Sequence, residues 1–508
     1  MNLASLAERN LAEFGEYVRL VFEGTDLTNR ALHDRSCRLA TALADLGLRP
    51  DDKVVLLLPN CPEVFVSYAG IWRAGMIVVP VLFLLEAREL AYILDNSSAR
   101  AVITAPELWS KVEDALATHP DVVAIVTGGD EELPPGARSF DALVRAHEPS
   151  PLVERAPTDL ATILYTSGTT GKPKGVMQTH HNLFANAMNA WNTNTNRVLG
   201  QVNLLVLPLA HTFGLSSLIA GYLFGGRSVL MRWFDAAGAL ALIERHRVTR
   251  MAGVPTMFVY MMFHPDRARH DTSSVTHWLV GAAPMPVEQV KRFEETFGGT
   301  MYVGYGLTEA CPGVASEREG LPRKLGSTGR PLAGVDVRII DETGNPVGVG
   351  AVGEICVRGE NVSPGYFENP EATTETFRDG WLHTGDMGYL DADDYLFIVE
   401  RKKDLIIRGG FNVYPKDVEE VLYRHPKVRE VAVVGVPDER MGEEVCACVV
   451  KHDGVDVTKE ELIVHCQSSL AKYKTPRFVE FVDVLPKTTI GKIQKKAVRE
   501  LAMTLLAR

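Results

Sequence analysis

From residue 53 onward, short apolar runs alternate with longer stretches whose apolar positions recur every three or four residues. The first pattern predicts buried strands and the second amphipathic helices. Strands are expected at 53–59, 76–81, 100–104 and 122–127, with a helix over 62–74. The rhythm recurs with strands at 203–208, 228–231, 249–253, 278–281 and 301–305, and helices over 214–224, 236–246 and 286–297. Such alternation predicts an α/β fold of parallel sheets covered on both faces, and two runs of it predict two packed α/β subdomains.

Near residue 335 the pattern changes. Segments 335–340 and 353–359, joined by the turn 341–346, read as a β-hairpin, and strand-like pieces continue to 399, a small β-rich subdomain. Beyond Arg401 the chain restarts with a helix over 415–424, strands 429–436 and 444–451, a helix over 459–471 and a strand 478–485. This is a compact α+β unit of about 100 residues, enough for a separate domain. The expected division is a large N-terminal domain over 1–400, a hinge at 401–404 and a small mobile C-terminal domain over 405–508.

Composition narrows the function. A chain of 508 residues exceeds one ordinary core, and 46% hydrophobic residues is a globular composition. A net charge of −11 without a long basic block argues against nucleic-acid binding. The seven cysteines are scattered; Cys446 and Cys448 alternate as on one face of a strand and do not read as a metal site, so a reduced, cytoplasmic compartment is expected. No apolar run is long enough to span a bilayer. A soluble monomer or homodimer is expected, with peripheral membrane contact left open.

The most informative stretch is Tyr165-Thr166-Ser167-Gly168-Thr169-Thr170-Gly171-Lys172-Pro173-Lys174-Gly175, directly after a strand-like run. Glycines let several backbone N–H groups converge on one anion, and hydroxyls and lysines add donors and charge. The loop therefore reads as a cradle for a nucleotide triphosphate. It is not a Walker loop: only two residues separate Gly168 from Gly171, and Pro173 follows Lys172 where a Walker loop has Ser or Thr.

Four further motifs follow in order. Gly304-Tyr305-Gly306-Leu307-Thr308-Glu309 closes a strand, where parallel sheets bind ligands; Tyr305 suits stacking on a base, and Thr308 and Glu309 suit a phosphate and its magnesium. Asp386, after Gly385, suits the two hydroxyls of a ribose. Arg401-Lys402-Lys403-Asp404 lies at the boundary between the two composition regimes. Lys492, in Thr489-Ile490-Gly491-Lys492, is a mobile point charge suited to the space between a carboxylate and an α-phosphate. Read singly, each has a bland alternative: a turn, a cap, a solvated linker, an exposed lysine.

Together these motifs resemble the adenylate-forming superfamily, which contains acyl-CoA synthetases, aryl-CoA ligases, luciferases and peptide-synthetase adenylation domains. The resemblance spans residues 165 to 492 and implies two steps. A carboxylate attacks the α-phosphate of ATP, giving an acyl-adenylate and pyrophosphate; the small domain then rotates, and the coenzyme A thiol displaces AMP. It implies nucleotide contacts from Thr166, Ser167, Gly168, Thr169, Thr170, Lys174, Tyr305, Gly306, Thr308, Asp386 and Arg401, and Mg²⁺ held by Thr166 and Glu309. It implies Lys492 and His211 as catalytic residues, Phe213 as the aromatic partner of His211, Lys403 as the hinge, and Gly409 and Gly410 along the coenzyme A path. The chain departs from the pattern at Glu400, where glycine or aspartate is common, and at Ile490, where a small residue is usual.

Within the superfamily, an amino-acid-activating domain would need an acidic residue near His211. The pair Phe234-Asp235 lies downstream and reads as a helix cap. A malonate-type ligase would want an extra cation, and 211–224 holds none beyond His211. Phe213, Gly214, Gly281, Ala282, Gly304 and Pro312 are apolar or small and are expected to line an acyl pocket. A medium- to long-chain fatty acid is the expected substrate, with an aryl or short branched acid as the alternative. A non-enzymatic nucleotide sensor is the contrasting class.

Overall fold

The computed structural model describes residues 1–129, 133–166, 173–192, 200–488 and 491–507. Two α/β sheets, a β-rich sheet and a small α+β domain follow one another as the hydrophobic pattern predicts. The first sheet has seven strands, ordered Arg138–Ser139, Val123–Val126, Ala101–Thr104, Lys53–Leu57, Ile77–Pro80, Leu160–Thr166 and Lys174–Thr179. All neighbours are parallel except the last pair, a hairpin that registers Thr166 opposite Lys174.

The second sheet has nine strands. Its parallel centre runs Thr300–Gly306, His277–Val280, Arg250–Gly253, Val202–Leu205 and Arg227–Leu230, and antiparallel partners close both edges. The strand Val18–Phe22 enters this sheet beside Arg227–Leu230, far from it in sequence. A non-local parallel pairing leaves no local mark, which is why the first 52 residues carried no prediction.

The helix Pro62–Arg73 is buried on every side, as a helix sandwiched between layers must be. With Asn29–Asp45 and Thr212–Phe224 it fills the layer between the two sheets, where residues of both sheets share one core. Separate cores cover the outer faces. The β-rich sheet pairs Val335–Ile340 with Gly353–Gly359, then Trp381–Leu390 with Leu396–Arg401, all antiparallel. In the small domain, Val428–Asp438 and Gly442–Lys451 form a long hairpin backed by Pro415–Tyr423 and Lys495–Leu506. Cys446 and Cys448 are buried on its second strand, and all seven cysteines are free. Among the described residues, no helix is long and apolar enough to cross a membrane.

The two sheets are locked together at the loop that leads to His211. Asn60 Nδ2 donates to Leu207 O (3.0 Å) and Met231 O (3.2 Å), and its Oδ1 accepts from Leu209 N (2.9 Å). The Tyr68 hydroxyl donates to Leu209 O (3.0 Å). Side chains of the first unit thus satisfy the backbone of the second at a fully buried junction. Asn60→Leu would orphan three backbone groups, and we expect it to cost about 3 kcal/mol or more. Equilibrium urea denaturation would show this as a lower midpoint; an unchanged midpoint would mean the loop is held by other contacts.

Candidate active site

The C-terminal ends of the second sheet, the β-rich sheet and the small domain meet around one carboxylate. Asp386, buried in the strand Trp381–Leu390, accepts from the Tyr305 hydroxyl at 2.6 Å and from Arg401 Nε at 3.1 Å. Its own backbone N–H is held by Thr384 Oγ1. Burial, with Asp386 adding to it, pushes the Tyr305 phenol well above its usual range, so this ring stays a neutral hydrogen-bond donor. Three of the motifs read separately in the sequence therefore form one cluster.

Lys492 joins that cluster from the small domain. Its loop is fixed by Thr256 Oγ1, which donates to Gly491 O at 3.1 Å, and by Thr488 Oγ1, which accepts from Lys492 N. Gly491 has φ +78°, and a Cβ there would lie 2.5 Å from Thr256 Oγ1, so both conformation and contact require glycine. Burial depresses the Lys492 ammonium to about 8; Arg401 and Lys403 add to this and Asp386 opposes it.

His211 caps the helix Thr212–Phe224, its Nδ1 accepting from Phe213 N at 3.2 Å. The neutral ring therefore carries its proton on Nε2. Burial, with Lys492 nearby, pulls its pKa down to about 4, so the ring is uncharged at neutral pH. The sequence reading started this helix at Gly214; the cap brings the start forward to Thr212.

At the other end, Glu309 Oε1 accepts from the Tyr366 hydroxyl at 2.8 Å, and Lys174 Nζ lies 5.0 Å over the Tyr366 ring. The Thr166 hydroxyl points to Lys174 O across the hairpin. Ser167, Gly168, Thr169 and Thr170 lie outside the described residues. Thr308 is buried, its carbonyl accepting from Gln178 Nε2 at 3.1 Å. Gly306 is bare because a Cβ there would lie 2.1 Å from Pro312 O. Oxygen donors from Thr166 and from the second oxygen of Glu309 fit a largely hydrated Mg²⁺ that arrives with a nucleotide. No cluster of three or more His, Cys, Asp or Glu exists among the described residues, so the chain alone offers no closed cage.

Among the described residues, all of these groups except Gln178 line one cavity of about 1840 Å³. It continues between the helix Thr212–Phe224 and the inner face of the second sheet, along Phe213, Ser217, Ala220 and Phe224. These positions recur every three or four residues and so share one helix face. Gly281 and Gly304 stand at its near end; a Cβ on Gly281 would lie 3.2 Å from the Phe213 ring, whereas one on Gly304 would meet nothing closer than 3.7 Å. Ala282, beside them, holds φ +66°, a strained conformation at a cavity wall. Pro312 also lines the cavity.

One expected lining residue is corrected. Gly214 is absent from the cavity wall, because its missing side chain admits the carbonyl of Pro208, 2.2 Å from where a Cβ would be. It is a packing glycine. Gly409 and Gly410 also lie away from this cavity in the present domain arrangement. Tyr366, Gln178 and Thr256 were missed by sequence reasoning. Each acts through a partner more than 50 residues away, and no local pattern signals that.

Residues 7–367 match the AMP-binding enzyme family and residues 417–492 its C-terminal domain family. The chain is 36% identical over 531 residues to a long-chain-fatty-acid–CoA ligase of Bacillus subtilis, covering 98% of this chain and 94% of that one. It is 40% identical over 478 residues to a feruloyl-CoA synthase of an Amycolatopsis species, covering 94% of each. The solved structure of a benzoate CoA ligase from Burkholderia xenovorans superposes with a TM-score of 0.90 at 29% identity, covering 98% of this chain and all 100% of the other.

The electrostatics of the cluster give a direct prediction. Lys492 should lose its proton near pH 8 in the free protein, well below an ordinary lysine. Competitive labelling with an amine reagent across pH, read by mass spectrometry, should find its midpoint there, and Arg401→Gln should move the midpoint up by removing a repelling charge. A midpoint like that of exposed lysines would mean the ammonium is not buried against Arg401.

Proposed function

The chain belongs to the AMP-binding enzyme family, and we propose that it is an AMP-forming acid–thiol ligase that joins a medium- to long-chain carboxylic acid to coenzyme A through an acyl-adenylate. The observation that carries this reading is the single cavity in which Lys492, Tyr305 and Asp386 stand at one end of a channel lined by small and apolar residues.

In the first step a carboxylate oxygen forms a bond to the α-phosphorus of ATP and pyrophosphate leaves. Lys492 offsets the negative charge gathered between carboxylate and phosphate. Asp386 and Arg401 hold the ribose, Tyr305 and Gly306 meet the base, and Thr166, Thr308 and Lys174 meet the phosphates together with the loop 167–170. Mg²⁺ held by Thr166 and Glu309 would neutralise phosphate charge. In the second step the thiol attacks the acyl carbon and AMP departs with one carboxylate oxygen. The small domain, residues 405–508, turns about Lys403 in the linker 401–404 and carries Lys492 away. Gly409 and Gly410, both at positive φ, then border the thiol's path, and neutral His211 with Phe213 lines the passage.

The feruloyl-CoA synthase relative supports a second reading, an aryl acid whose ring lies in the channel beside Gly304. A pyrophosphate-release screen over aliphatic and aryl acids, with and without coenzyme A, tests both readings.

Two variants test the assignments. Lys492→Ala should abolish pyrophosphate release from acid and ATP yet still convert supplied acyl-adenylate into thioester; equal loss of both half-reactions would remove Lys492 from its assigned role. Gly304→Trp should fill the channel mouth, with overlap costs of a few kcal/mol for acids long enough to reach it. Activity on long acids should fall while acetate or propionate is retained. A uniform loss across chain lengths would assign Gly304 to the nucleotide loop.

A further inference from the structure

The channel does not end in an apolar wall. Three neighbouring parallel strands place Asn203, Arg250 and His277 in one row, each the register partner of the next. Register partners point to the same face of a sheet. Two residues further along each strand, the same face carries Leu205, Ala252 and Leu279, again in register. The next row reaches Gly281. The alternate positions Leu204, Met251 and Trp278 are buried in the core on the opposite face. The channel face therefore runs from bare glycine, through apolar side chains, to a polar row.

All three polar residues line the same cavity as Lys492. Arg250 donates from Nη1 to Gln201 Oε1 at 3.2 Å, its one hydrogen bond among the described residues, although a guanidinium has five N–H donors. His277 stacks on Tyr302 with centroids 5.5 Å apart, and its Nε2 lies 3.4 Å from Glu319 Oε2. Burial lowers the Arg250 pKa, while the Glu319 carboxylate and the Tyr302 phenol favour its charge. Arg250 is only partly exposed and lines a cavity whose nearer wall is apolar, so a ligand oxygen that accepts from its spare donors gains a hydrogen bond to a charged group.

Resting on the ligase reading above, we infer that this row is a tail subsite, and that the acid this enzyme takes carries a hydrogen-bond-accepting oxygen at the end remote from its reacting carboxylate. Arg250 donates to that oxygen, and Asn203 flanks it. From Gly281 to His277 is four strand residues, about 13 Å. An extended chain of roughly ten carbon–carbon bonds of about 1.5 Å covers that distance. The oxygen is a carboxylate, a ketone or a hydroxyl; Arg250 serves all three as donor, and a carboxylate also meets its charge.

The test compares saturated acids of eight to sixteen carbons in matched sets: methyl-ended, ω-hydroxy, ω-oxo and α,ω-dicarboxylic. AMP formation with coenzyme A is followed for the full-length enzyme and for Arg250→Met and Arg250→Lys. At the length that reaches the row, kcat/KM should favour an oxygenated tail roughly tenfold or more, the range of a hydrogen bond to a charged group. Arg250→Met should erase or reverse that preference, and Arg250→Lys should keep part of it. The preference is a ratio within one protein sample, so a variant that folds less completely lowers both terms and leaves the readout intact. A lead by the diacid identifies an anionic tail, and a lead by the hydroxy or oxo acid a neutral one. Turnover that favours methyl-ended acids at every length, with a ratio unmoved by Arg250→Met, overturns the subsite and leaves the ligase reading standing. No AMP formation with any acid would overturn both.

Discussion

A carboxylate removed from water must find donors, and the fold supplies them to Asp386 from its own sheet and from a second one. Tyr305 comes from the end of a strand in the second α/β sheet, and Arg401 from the end of the β-rich sheet. Lys492 acts on the same group through space from the small domain. The β-rich sheet supplies Arg401 as the register partner of Asp386, and the second sheet adds Tyr305. The Tyr305–Asp386 hydrogen bond therefore ties the second α/β sheet to the β-rich sheet. The hairpin of Thr166 and Lys174, the face of the helix Thr212–Phe224 and His211 line the same cavity as that junction.

The same economy governs His211. A helix N-terminus favours a neutral imidazole, and the Phe213 N–H bonded to Nδ1 leaves the proton on Nε2. Burial beside Lys492 keeps the ring uncharged. A cation at that position would repel Lys492. The loop bearing His211 is in turn held by Asn60 and Tyr68, so a residue of the first sheet's unit governs geometry in the second.

Much of this was legible in the sequence because it is local. Alternating apolar runs gave the strands, Asp235 was read as a cap and does accept from Gly238 N, and Cys446 with Cys448 fell on one strand. The motifs around Tyr305, Asp386, Arg401 and Lys492 stood out because glycines and charges cluster there. What escaped was non-local. Val18–Phe22 finds its sheet partner some 200 residues away. Gly214 looked like pocket space, but its neighbour is the Pro208 carbonyl. Arg250, Asn203 and His277 are unremarkable in three separate segments and become a row only through strand register.

The central claim is that a carboxylate oxygen bonds to the α-phosphorus of ATP and leaves with AMP. The most direct measurement supplies an acid labelled with ¹⁸O in both carboxylate oxygens, together with ATP and coenzyme A, and weighs the products by mass spectrometry. The account predicts pyrophosphate without label and AMP carrying a single ¹⁸O. Formation of ADP, or of AMP without label, would contradict it.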